Sequence, residues 1–195
     1  MYKRQVWQRW PSAGPTELFG SAECYHRRVA DMLATGTILD DGMVYFDVRL
    51  SPRYPTVEFR VADVCLDAST AVVLAALARA LVDTAAREWH RGTEPAGDSV
   101  SLLRLAAWRA ARSGLTGELL HPATMRRMPA ETVVRALLEH TGEALAATGD
   151  LDRVREGVDG LLRHGNGAQV QRALLERTGS LREVVAACVR RTQAA

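Results

Sequence analysis

The sequence predicts an α+β fold, with a short antiparallel sheet near the start of the chain and helices over the remainder. Three observations carry this. Residues 43–50 alternate apolar and polar side chains over their second half, and residues 57–61 do the same, which predicts strands over 43–50 and 56–62. Beyond Asp67 the apolar residues recur at helical spacing to the end. Capping residues, prolines and glycines bound several of the helical stretches. The 195 residues fit a single domain, 1–195, in which 1–66 is irregular with a short helix and strands and 67–195 is mainly helical.

In chain order, residues 1–20 read as irregular, punctuated by Pro11, Gly14, Pro15 and Gly20. Residues 21–35 form a short helix carrying Val29, Met32 and Leu33, ended by Gly36. Two strands follow, joined by the proline-containing connection 51–56. Asp67 or Ser69 caps a helix to about Arg91, with Val73, Leu77, Leu81 and Ala85 along one face. A second helix spans 99–113 and stops at Gly114. Residues 118–120, before Pro122, suit a strand or a turn. Pro129 opens a helix to about Thr148. Further helices fall at 151–164, 167–178 and 180–193.

Composition excludes several classes. Twenty-five basic and 23 acidic residues leave a net charge of +2, too balanced to imply a nucleic-acid partner. Lys3 is the single lysine, which argues against lysine-based covalent chemistry and leaves arginine forks for carboxylate or phosphate. No charge-free run reaches the roughly 18 residues of a membrane span, so no membrane association is expected. Cys24, Cys65 and Cys188 show no metal or disulfide spacing, which fits a reducing cytoplasm. The five histidines lack zinc-site spacing, and Gly165-Asn166-Gly167 reads as a turn between helices.

The strand pair holds the arrangement with chemical content. Alternation puts Val44, Phe46, Val48 and Leu50 on one face, where Val57, Phe59 and Val61 can join them in a core. The opposite face carries Asp47, Arg49, Glu58 and Arg60. Two roles suit those four charges. One is a solvated face whose cross-strand ion pairs contribute about 0.2–1 kcal/mol each. The other is a concave catalytic sheet, where a carboxylate holds Mg²⁺ and an arginine neutralises phosphate oxygens.

The run Tyr45-Phe46-Asp47-Val48-Arg49-Leu50-Ser51-Pro52-Arg53-Tyr54-Pro55-Thr56-Val57-Glu58-Phe59-Arg60-Val61-Ala62-Asp63 resembles the signature stretch of the carboxylate–amine ligase family, the glutamate–cysteine ligase 2-like proteins. Three other segments are similar to the family: Arg4-Gln5-Val6-Trp7-Gln8-Arg9-Trp10-Pro11, Trp108-Arg109-Ala110-Ala111-Arg112-Ser113-Gly114-Leu115-Thr116-Gly117, and Thr178-Gly179-Ser180-Leu181-Arg182-Glu183-Val184-Val185. The resemblance covers essentially the whole chain and corresponds to the family's C-terminal half.

That resemblance implies a glutamine-synthetase-like antiparallel sheet with helices packed outside. It implies ATP and Mg²⁺ as cofactors, and amino acids such as glutamate and cysteine as substrates. Glu58 would be a metal ligand, with Asp47 a second. Arg60 would contact ATP phosphate, and Arg49, Arg53 and Arg4 are further candidates on the same surface. The family's N-terminal half, which supplies an acidic strand and a histidine-containing strand, is not in this sequence. An oligomer, or a complex with such a half, is therefore expected, since an unpaired sheet edge invites pairing. The competing expectation is a non-catalytic interaction module that keeps the helices.

Overall fold

The computed structural model describes residues 6–194, and most helices begin where a capping side chain stands. Helix α1 is Ala22–Ala34, with Ser21 as N-cap accepting from the Cys24 N–H. A 3₁₀ turn, Asp41–Met43, precedes strand β1, Val48–Leu50, which pairs antiparallel with β2, Val57–Phe59. Helix α2 is Ala68–His90, capped by the Asp67 carboxylate on the Thr70 N–H. Helix α3 is Val100–Ser113, capped by Ser99 and ended at Gly114. Strands β3, Glu118–Leu120, and β4, Arg127–Pro129, form a second antiparallel pair. Helices α4 (Ala130–His140), α5 (Gly142–Ala147), α6 (Leu151–His164), α7 (Gly167–Thr178) and α8 (Leu181–Gln193) complete the chain. The fold class is α+β, with two small two-stranded sheets.

The chain divides into two compact units. Unit 1 comprises residues 1–62, 96–114 and 123–125. Its core is Tyr25, Val29, Ile38, Val44 and Phe46, flanked by Phe19, Met32, Leu33, Met43 and Leu50. Unit 2 comprises residues 63–95, 115–122 and 126–195. Its core is Val73, Ala76, Leu77, Ala80, Leu138, Ala144, Leu145, Val154 and Val158, where α2 packs on α5 and α6. Helix α2 is long and apolar enough, by length and composition, to cross a membrane. Its stripe Val73, Ala76, Leu77 and Ala80 is buried in this core.

Two expectations need correction, and one strand was not expected. The strands are three residues each rather than seven or eight, because residues 45–47 turn their backbone to another segment. Gly14 donates to the Tyr45 carbonyl at 3.4 Å, and Asp47 donates to the Gly14 carbonyl at 2.9 Å. The helix expected from Pro129 to Thr148 breaks at Thr141. This β-branched residue returns its hydroxyl to the Leu137 carbonyl at 2.8 Å, and Gly142, a poor helix former, follows it. The partner strand β4 had no alternating signal of its own, since Met128 is its one large apolar side chain.

Two glycines on α6 give a paired prediction. A Cβ on Gly157 would overlap Cγ2 of Val73, whereas one on Gly160 meets nothing within 4 Å. Val73 is buried and β-branched, so it has no other rotamer to retreat to. Gly157→Ala is expected to destabilise by about 1–3 kcal/mol, the usual cost of overpacking, less a helix-propensity gain of about 1 kcal/mol. Gly160→Ala has the propensity gain alone. Thermal melts of the two variants should therefore move in opposite directions, with Gly157→Ala below the parent.

Candidate functional site

The charged stretch lies in unit 1, on the β1–β2 hairpin. Register pairs Val48 with Phe59, Arg49 with Glu58 and Leu50 with Val57. The Ser51 N–H donates to the Thr56 carbonyl at 2.9 Å and closes the connection. The Arg60 N–H donates to the Asp47 carbonyl at 2.9 Å, which extends the pairing one step past the strands.

Direct opposition of Arg49 and Glu58 yields a cross-strand ion pair, Arg49 Nε donating to Glu58 Oε2 at 2.7 Å. The same oxygen lies 3.7 Å from the Arg60 guanidinium. Arg49 Nη1 also donates to the carbonyls of Asp41 at 3.1 Å and Val44 at 3.0 Å. Arg49 thus ties the hairpin to the 3₁₀ turn, and its side chain is only 11% exposed. The Glu58 and Arg60 side chains each remain 35% exposed. Arg60 stacks over the Tyr45 ring at 5.9 Å, and Tyr45 in turn packs on Trp7 at 5.1 Å and Trp10 at 6.3 Å.

Arg49, Glu58 and Arg60 therefore converge on one carboxylate, as the two-residue period implies. Arg53 sits in the exposed connection, its N–H 3.5 Å from the Ser51 hydroxyl. Asp47 is half-buried beside β1. Arg4 lies outside the described residues. The expected burial of the hairpin's apolar residues is corrected. Val48, Val57 and Val61 are 43%, 39% and 43% exposed, while Arg49 on the charged side is enclosed. The carbonyls of the 3₁₀ turn need donors, and the guanidinium that supplies them is drawn inward. Sequence reasoning missed this anchor, and also Tyr45 as a partner of Arg60; the odd-numbered spacing 45, 47, 49 was the available signal.

The Arg49 hydrogen bond, aided by the charges of Arg49 and Arg60 and by the Ser51 hydroxyl, holds the Glu58 carboxyl below the usual glutamate range. A lowered folded-state value means the pair stabilises the fold above the unfolded-state carboxylate range. That contribution is lost as pH falls through the lowered value. An NMR titration should find the Glu58 carboxyl ionising below free glutamate, and Arg49→Gln should move its midpoint up. An unmoved midpoint would show that Arg49 is not the cause.

Among the described residues, no group of three or more His, Cys, Asp or Glu side chains gathers to hold a metal. Glu58 and Asp47 are oxygen donors of the type a hard cation takes, and they fit part of such a shell only. Cys24, Cys65 and Cys188 are free thiols.

The pattern of Glutamate-cysteine ligase family 2 matches residues 2–187. A protein of Streptomyces coelicolor named "Putative glutamate--cysteine ligase 2" is 89% identical over 194 residues, covering 100% of this chain and 53% of that protein. Proteins named "Putative glutamate--cysteine ligase 2-1" in Streptomyces avermitilis and Paenarthrobacter aurescens are 71% and 47% identical. Each alignment covers 98% of this chain, with 53% and 50% of the respective relative. The chain thus spans about half the length of the curated relatives it matches.

Proposed function

The chain belongs to Glutamate-cysteine ligase family 2, and from that premise we propose that it serves an ATP-dependent carboxylate–amine ligase acting on glutamate and cysteine or similar amino acids. The proposed reaction transfers the γ-phosphoryl group of ATP to a substrate carboxylate, giving an acyl phosphate and ADP. The amine nitrogen then attacks the acyl carbon and loses a proton, and phosphate leaves. Such chemistry rests on positioning and charge neutralisation.

The observation that carries the reading is the Glu58 carboxylate held between two guanidiniums in the signature stretch. Arg49, committed to the 3₁₀ turn, fixes the Glu58 side chain. Arg60 is exposed and would offer its planar fork to phosphate oxygens, with Arg53 in the exposed connection of the same hairpin. Glu58 and Asp47 would supply oxygen ligands for Mg²⁺, whose positive charge would offset the charge of the phosphates. We take the sheet to be glutamine-synthetase-like and the working enzyme to be a cytoplasmic oligomer, or a complex that includes the other half of the relatives' length.

A second reading, an interaction module without activity, is favoured by one feature: Glu58 already has a full ionic partner in Arg49. One assay separates the two. The 195-residue chain alone is expected to bind Mg²⁺–ATP weakly and to form no γ-glutamyl–cysteine, since two carboxylates are too few ligands for the cation. With a polypeptide covering the rest of the relatives' length, ADP release should appear and should require both acid and amine. No turnover in that mixture favours the module. Normal turnover by the chain alone overturns the account of the ligands.

A further inference from the structure

We propose that the groove along α7 and α8 in unit 2 is a binding site for a small soluble carboxylate with an apolar body. The groove has a volume of about 330 Å³, within the range of small-molecule sites. Leu66, Val170, Leu174 and Ala187 give it an apolar surface, and Arg177 and Arg191 line it as cations. No acidic side chain lines it.

The two guanidiniums set the sign of the ligand. In the same unit Arg87 and Arg91 share Glu143 at 2.8 and 3.0 Å, and Arg135 is paired with Asp159. Among the described residues, Arg177 and Arg191 make no such ion pair. The charge of Arg191 reaches the Asp67 carboxyl and helps to lower its pKa. That carboxylate is already spent on the α2 cap, accepting from the Ser69 hydroxyl and the Thr70 N–H, each at 2.7 Å. A guanidinium beside apolar surface and outside any direct ion pair fits a carboxylate by paired N–H donors. The apolar lining rewards a ligand whose remainder is hydrocarbon, which inorganic anions lack. All lining residues belong to unit 2, whereas Glu58 and Arg60 belong to unit 1, so this site does not depend on the ligase reading.

Isothermal titration calorimetry of the 195-residue chain with octanoate tests this, with octylammonium as the opposite-charge control. Saturable one-to-one binding of octanoate is expected, and none of octylammonium. Arg177→Gln and Arg191→Gln should each weaken octanoate by about tenfold or more. Neither residue is in a direct ion pair, so the melting temperatures should change little, by the small helix-dipole contribution of a last-turn cation. Ala173→Trp, from an exposed lining position, should fill the groove and block binding. No octanoate heat, equal binding of octylammonium, or indifference to both arginine changes or to Ala173→Trp overturns the proposal. Light scattering distinguishes the rival occupant: a dimer that Ala173→Trp dissociates and that excludes octanoate would show that a second copy fills the groove.

Discussion

Under the proposed ligase function, Glu58→Gln is expected to lower amide formation by the reconstituted enzyme on the order of 10²–10³-fold, the scale for removing one preorganised electrostatic partner. The change removes a charge and keeps the shape. Glutamine still accepts a hydrogen bond from Arg49 Nε, so the enclosed guanidinium keeps a partner and its two bonds to the 3₁₀ turn. The hairpin should therefore stand, and an unchanged circular dichroism spectrum and melt would verify it. Affinity for Mg²⁺ should fall because a neutral amide is a poor ligand for a hard cation. Arg60→Lys should impair turnover less, retaining charge while losing the planar fork. Full activity of Glu58→Gln in a reconstituted enzyme would refute the residue's role and leave the family membership untouched.

Leu145→Ala should cost unit 2 about 2–5 kcal/mol, the range for truncating a buried leucine. Leu145 is 0% exposed and lies on α5, where the core of α2 and α6 closes around it. The short helix has no side-chain cap of its own, so it is held by this packing more than by propensity. At about 2–4 °C per kcal/mol for a chain of this length, the melting midpoint should fall by roughly 5–20 °C. Leu181→Ala, at a leucine that is 70% exposed, should stay within about 0.5 kcal/mol. Equal melts for the two variants would show that α5 is not a keystone of the core.

Helix positions were legible because capping and periodicity are local. Ser21, Asp67, Ser99, Asn166 and Ser180 each cap a helix with a side-chain oxygen, and each is readable from its neighbours. The turn at residues 165–167 is one such case, closed by the reciprocal Asn166–Gln169 capping box. Strand β4 was not legible, because three residues with one large apolar side chain acquire strand character only from pairing with Glu118–Leu120.

The family and the α+β class were set by the sequence alone, through a signature run and two periodicities. So was the grouping of Arg49, Glu58 and Arg60, since residues two apart on paired strands share a face. Tertiary structure decided which of them is enclosed. Arg49 turns inward onto the carbonyls of Asp41 and Val44, the latter on a buried residue, while Val48, Val57 and Val61 stay open. Alternation divides a strand into two faces, but the segments that pack against it determine which face is covered.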